Sequence, residues 1–125
     1  MVPLRKLALA PVMVIEDDHD TRVSLRSFLE EEGFEVWTAT HGRSAISMLR
    51  SATELPGMII LDLRMPLMDG WAFAEVIKCD PALAKLPVVV ITADRNSPPP
   101  NVIEVLAKPI KVDRLLQLVE QYCGY

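Results

Sequence analysis

The sequence predicts a doubly wound α/β domain, and three observations carry that expectation. Short apolar runs rich in β-branched residues recur at Val12–Ile15, Phe34–Thr38, Met58–Leu61, Val88–Ile91 and, more weakly, Ile103–Ala107. Between most of them lie segments whose apolar residues repeat at helical spacing. The main runs are apolar throughout, which implies a parallel sheet covered on both faces by helices.

Each element has its own warrant. The first strand stops at Glu16-Asp17-Asp18. A helix from Thr21 to Glu32 carries Leu25, Phe28 and Leu29 on one face; Asp18 or Asp20 can cap it, and Gly33 ends it. Ala45, Ile46 and Leu49 mark a second helix over Gly42–Arg50. Pro56-Gly57 is a turn into the third strand, which ends at Asp62. Met65 to Gly70 reads as a loop, Trp71 to Cys79 as a third helix closed by Asp80-Pro81. The fourth strand ends at Thr92. Val112, Leu115, Leu116 and Val119 form the apolar face of a last helix.

Only Ala93 to Val102 separates the fourth strand from the fifth, and these ten residues include Pro98, Pro99 and Pro100. Proline removes a helix donor and pushes its predecessor out of the helical region. A helix here is expected to be absent or a single turn. Ten residues in polyproline geometry reach about 31 Å, against about 17 Å for a five-residue strand. A parallel return is therefore feasible.

Composition bounds the function. The chain has 125 residues, is 50% apolar and 24% charged, and has a formal charge of −4. This is the balance of one packed domain, with no electrostatic reason to seek nucleic acid or anionic lipid. Cys79 and Cys123 form no CxxC pair, so a reduced, cytoplasmic protein is the simplest expectation. The apolar stretch from Leu7 to Ile15 is short, broken by Pro11 and closed by acids, which argues against a signal peptide; no run approaches the ~20 apolar residues of a membrane span.

In a parallel sheet the strand C-termini share one edge, where ligands bind. That edge collects Glu16 and Asp17 from the first strand, Asp62 from the third, Thr92 from the fourth and Lys108 from the fifth. Three close carboxylates repel unless a cation intervenes, and oxygen ligands favour Mg²⁺. A lysine and a threonine beside them suit a phosphoryl group. Taken singly, each has a plainer reading: the first acids as solvated loop residues, Asp62 as a cap, Thr92 as structural, Lys108 as a surface lysine. Their coincidence at successive strand ends argues otherwise.

With these residues in view, the chain resembles the receiver domain of two-component response regulators. The resemblance rests on Val14-Ile15-Glu16-Asp17-Asp18, the stretch Leu61-Asp62-Leu63-Arg64-Met65-Pro66-Leu67-Met68-Asp69-Gly70, Val90-Ile91-Thr92-Ala93, and Lys108-Pro109. It implies a flavodoxin-like five-stranded sheet in order 2-1-3-4-5, a single receiver domain over residues 1–125, and a phosphoacceptor role for Asp62 toward a sensor histidine kinase or phosphotransfer protein. It further implies that Mg²⁺ is held by Asp17 directly, by Glu16 through water, by Asp62, and by the backbone carbonyl of Arg64. Thr92 would bond a phosphoryl oxygen, and Lys108 would pair with the phosphoryl group or Asp62. The Lys108-Pro109 peptide would be cis. Asp18 falls one residue past the metal pair and is assigned to capping.

The implied function is a conformational switch that signals to an unidentified downstream protein. It is not an enzyme beyond self-catalysed phosphoryl transfer and autodephosphorylation. A stand-alone module is expected, since no linker or effector domain follows Tyr125 in this sequence, with a fragment cut from a longer kinase or regulator as the other reading. Two departures from the family concern its usual output face: the shortened connection before the fifth strand, and Val105 where the family usually has Tyr or Phe. They leave a phosphorylation-independent pseudo-receiver as the alternative. A haloacid-dehalogenase-type phosphatase wants a second acid two residues after the nucleophile, where this chain has Arg64. Arg64 and Asp94 flank the phosphate in the family, and an ion pair between them lidding the site stands against two independent solvated side chains. His19 and His41 have no metal-ligand partner at useful spacing. Trp37 and Trp71 are expected to be partly buried.

Overall fold

The computed structural model describes residues 10–93 and 97–124. In chain order these form β1 (Val12–Ile15), α1 (His19–Glu31), β2 (Val36–Ala39), α2 (Gly42–Ser51), β3 (Met58–Asp62), α3 (Gly70–Cys79), β4 (Val88–Thr92), β5 (Glu104–Ala107) and α4 (Val112–Cys123). The strands pair in parallel in the order β2-β1-β3-β4-β5. This is the doubly wound sheet expected from the apolar runs. No helix among the described residues is long and apolar enough to cross a membrane. The start of the Leu7–Ile15 stretch, like Asp94, lies outside the described residues.

Strand alternation divides the core into two layers. Val12, Val14, Met58, Ile60, Val89 and Ile91 face α1 and α4, where Leu25, Leu29, Leu115 and Val119 meet them. Met13, Ile15, Ile59, Leu61, Val88 and Val90 face α2 and α3, against Ala45, Leu49, Phe73 and Ile77. Both faces of the three central strands are thus dry, so their sequences lack the polar alternation of a half-exposed sheet.

The helix ends follow local chemistry. Asp18 accepts the Thr21 N–H at 2.9 Å, so α1 starts at His19, two residues earlier than the apolar spacing indicates. At the other end Gly33 sits at φ 98°. Its N–H donates to Glu30 O at 3.0 Å, and the Phe34 N–H donates to Leu29 O at 3.1 Å, the two bonds of a Schellman turn. Phe34 is therefore spent on ending the helix, and β2 begins at Val36 rather than at Phe34. The α2 cap is the His41 imidazole, whose Nδ1 accepts from the Ser44 N–H, and Asp69 caps α3 through Ala72.

Between β4 and β5 the described residues contain no helix, as the prolines require. Residues 97–102 instead run as a strap across α3. The Trp71 indole N–H donates to Ser97 O at 2.9 Å, Pro99 is buried, and Val102 packs with Leu86 on the α3 side of the core. Asn101, at φ 66°, makes the left-handed turn into β5, a conformation asparagine tolerates better than most residues. The strap is thinner than a helix and leaves β5 underdressed. Val105, in register with Val90 and on the same side, remains 40% exposed, and Ile103 39%. The Lys108-Pro109 peptide is cis, as the resemblance implies.

Candidate functional site

Register brings the site together. Ile15 pairs with Leu61, so Glu16 and Asp62 leave neighbouring strands side by side. Asp62 pairs with Ile91, and Thr92 pairs with Ala107, which sets Lys108 just beyond the same edge. Carboxylate oxygens from Glu16, Asp17 and Asp62 lie within 4.8 Å of one another. Glu16 is fully buried, Asp62 and Thr92 are buried, and Asp17 is exposed at the mouth.

Lys108 supplies the opposing charge. Its Nζ donates to Glu16 Oε1 at 2.8 Å and stands 3.7 Å from Asp62 Oδ1. The ammonium thus takes Glu16 as its nearer partner, whereas the family resemblance pointed to Asp62 or the phosphoryl group. Glu16 is the more deeply buried of the two acids, and a buried carboxylate left unpaired is costly. Burial pushes the Glu16 carboxyl above its ordinary value, and the adjoining Asp62 adds to that; Lys108 opposes the shift without cancelling it. For Lys108 itself burial works against the ammonium. The hydrogen bond to Glu16 and the attraction of both acids outweigh it and raise its value. An arrangement of three acids and one cation remains short of positive charge. Its oxygen-only donor set fits a small hard divalent ion such as Mg²⁺.

The loop after Asp62 is tightly closed. The Gly70 N–H donates to Leu63 O at 2.9 Å, and a Cβ at Gly70 would lie 2.7 Å from Leu63 Cα and 2.8 Å from Asp62 O. Met68 O accepts the Gly42 N–H at 3.2 Å, tying the loop to the start of α2. Leu67, at φ 66° and 74% exposed, occupies the left-handed region without packing to compensate. Leu67→Gly is therefore expected to stabilise the fold, by at most about 1 kcal/mol after the entropy of the added glycine is offset. Urea denaturation checks this, and an unchanged or lowered midpoint contradicts it.

Sequence reasoning missed Arg22 and, although it named Arg64 for its carbonyl, missed the contact that the Arg64 guanidinium makes. Arg22, one turn into α1, donates from Nη1 to the carbonyls of Glu16 at 3.1 Å and Asp17 at 3.2 Å. It thereby fixes the peptide planes from which both acids project. Arg64 lies with its guanidinium 4.9 Å from the centroid of the Trp71 ring. Neither link has a sequence signature, apart from a helical register that returns Arg22 toward the strand end. The choice between an Arg64–Asp94 pair and two independent side chains turns on Asp94, which lies outside the described residues. Asp18 proves to be a cap, as assigned: Thr21 donates to it from both its N–H and its hydroxyl, and these bonds hold its carboxyl below the ordinary value. His41 serves as the α2 cap, and the His19 ring contacts Arg22. Trp37 and Trp71 are both partly buried.

A parallel sheet whose carboxyl edge gathers buried acids around one ammonium defines an α/β domain built to handle a charged group at that edge. Comparison with known proteins narrows the class. The family model described as the response regulator receiver domain matches residues 12–120, and the chain belongs to that family. It is 39% identical over 84 residues to the response regulator PleD of Caulobacter vibrioides, covering 67% of this chain and 18% of PleD. An uncharacterized 14.6 kDa protein of Leptolyngbya boryana is 35% identical over 126 residues, covering 96% of this chain and 95% of that protein. Among solved structures, a response regulator receiver protein from Pseudomonas putida superposes with a TM-score of 0.82 at 25% identity, covering 91% of this chain and 98% of its own. Receiver domains are in general phosphoacceptors rather than enzymes, and they interact with histidine kinases and downstream effectors.

Proposed function

We propose that this domain accepts a phosphoryl group on Asp62 from a phosphohistidine donor, a sensor histidine kinase or a phosphotransfer protein, and relays its state to a protein partner. The observation that carries the reading is the convergence of Glu16, Asp17 and Asp62 with Lys108 at one sheet edge. In the transfer an Asp62 carboxylate oxygen bonds to phosphorus as the donor's phosphorus–nitrogen bond breaks. The electron pair goes to the imidazole nitrogen, which then takes a proton from solvent. The protein's part is positioning and charge neutralisation. Lys108, already beside Asp62, meets the incoming negative charge, and the Thr92 hydroxyl donates to a phosphoryl oxygen. Asp17, Glu16, Asp62 and the carbonyl of Arg64 would hold Mg²⁺, which when bound offsets charge on the phosphoryl oxygens. Arg22 keeps the acids aimed.

Residues 1–125 are read as one cytoplasmic receiver domain, supported by the family match over 12–120 and by the length of the Leptolyngbya relative. Incubation with Mg²⁺ and acetyl phosphate is expected to add one phosphoryl group by intact mass, and Asp62→Asn is expected to abolish the gain. Absence of any gain at saturating donor would instead favour the phosphorylation-independent module. Metal affinity has a separate readout. Mg²⁺ at a hundred times its Kd is expected to stabilise the fold by about 2.7 kcal/mol, several degrees in melting temperature. In Asp17→Asn that increment should shrink sharply; an undiminished one would remove Asp17 from the metal set.

A further inference from the structure

Among the described residues no helix lies between β4 and β5, and residue 105 is valine rather than an aromatic, so a signal from Asp62 to the surface needs some other connection. We propose that Trp71 is that connection: its ring face carries Arg64 of the phosphoacceptor loop while its indole N–H holds the strap at Ser97, so that phosphorylation of Asp62 releases the strap. This deepens the phosphoacceptor reading and rests on it.

Each link is a contact in the structure. The Arg64 N–H faces Asp62 Oδ1 at 3.4 Å, which ties the start of the loop to the acceptor carboxylate. The Arg64 guanidinium stands 4.9 Å from the Trp71 ring centroid. The indole N–H reaches Ser97 O at 2.9 Å across a sequence separation of 26. Among the described residues, buried Pro99, half-buried Val102 and the Ile103 N–H bond to Val88 O at 2.9 Å also hold the strap. Pro98, Pro99 and Pro100 offer no N–H of their own, so the strap cannot replace a lost anchor with a backbone ladder.

The driving force is competition for one guanidinium. A cation over a partly exposed indole is held more weakly than one making charge-assisted, bidentate bonds to a phosphoryl dianion. A phosphoryl group on Asp62 places that dianion at the foot of the residue bearing the cation. As Arg64 turns inward, Trp71 loses the charge on its face and is freed to change rotamer, and the Ser97 bond lengthens with it. The strap then lifts from α3 and uncovers the half-open apolar side of β5 at Ile103 and Val105. Two occupancies of one side chain thus become two states of a surface.

The test uses the whole chain. Trp37→Phe leaves Trp71 as the only tryptophan. With Mg²⁺ and acetyl phosphate, and phosphorylation followed by mass, Trp71 emission is expected to shift to the red and become easier to quench by acrylamide. Hydrogen exchange at the amides of Asn101, Val102 and Ile103 is expected to quicken in the phosphorylated protein. Trp71→Phe, which keeps a ring but loses the N–H, should quicken the same amides without phosphorylation, and phosphorylation should then add nothing. A purely structural role would leave the two effects additive, and additivity overturns the proposal. Phosphoryl gain with unmoved Trp71 emission overturns it while leaving the phosphoacceptor reading intact. Absence of phosphoryl gain overturns both.

Discussion

Lys108→Ala is expected to slow phosphorylation by acetyl phosphate by about 10²- to 10³-fold, the usual cost of removing one donor that meets developing negative charge. The same change should destabilise the protein in magnesium-free buffer at neutral pH. Glu16 has no contact with water and loses its 2.8 Å partner. Breaking a fully buried pair costs about 3–5 kcal/mol; Lys108 is 27% exposed, so about 1–3 kcal/mol is the appropriate scale. The pH dependence has a definite sign. Burial already raises the Glu16 carboxyl in the folded protein, and removing the ammonium raises it further. A carboxyl raised on folding binds more protons folded than unfolded, so stability falls as pH rises through its folded value and recovers as pH drops below it. The deficit of Lys108→Ala relative to the parent should therefore narrow on acidification. A deficit that stays constant or widens would contradict the pairing with Glu16.

Gly70→Ala should be the most damaging single methyl in the loop. The added Cβ would meet Leu63 Cα and Cδ2 at 2.7 Å and Asp62 O at 2.8 Å, and two of these atoms belong to backbone at the end of a fully buried strand. The clash cannot be relieved by turning a side chain. About 1–3 kcal/mol of destabilisation is expected, the ordinary range for overpacking, together with a displaced Asp62 and slower phosphorylation. Gly42→Ala provides the internal comparison, because much of its clash is with the flexible Met68 side chain, at Cγ 2.9 Å and Sδ 3.0 Å. If Gly70→Ala unfolds at the same urea concentration as the parent, the close approach is not a constraint on the fold.

These two residues also show what can be read from a sequence and what cannot. Strand runs such as Met58–Leu61 are apolar because both sheet faces are covered, and their acidic ends therefore announce where the sheet edge lies. From that alone Glu16, Asp17, Asp62, Thr92 and Lys108 could be placed on one edge, and register does bring them there. That the described residues between β4 and β5 form no helix followed equally directly from three prolines. The choice Lys108 makes between two acids was not legible, because both are buried and the preference depends on their exact depth and approach. The grip of Arg22 on two carbonyls and the path of the strap over Trp71 depend on tertiary approach across many residues. Boundaries moved where one residue had two possible duties: Phe34 is apolar enough for a strand, yet its N–H closes a helix.

The acids and the ammonium are held with unequal security. Glu16, Asp17 and Asp62 hang from β1 and β3, each of which is flanked on both sides, whereas Lys108 follows β5, which has a neighbour only in β4. Outermost strands open at lower free energy than central ones. Fraying of that margin would carry the cation away and leave the carboxylates standing, so the pocket comes apart from one side; on the proposed function, phosphate acceptance would be lost before metal binding.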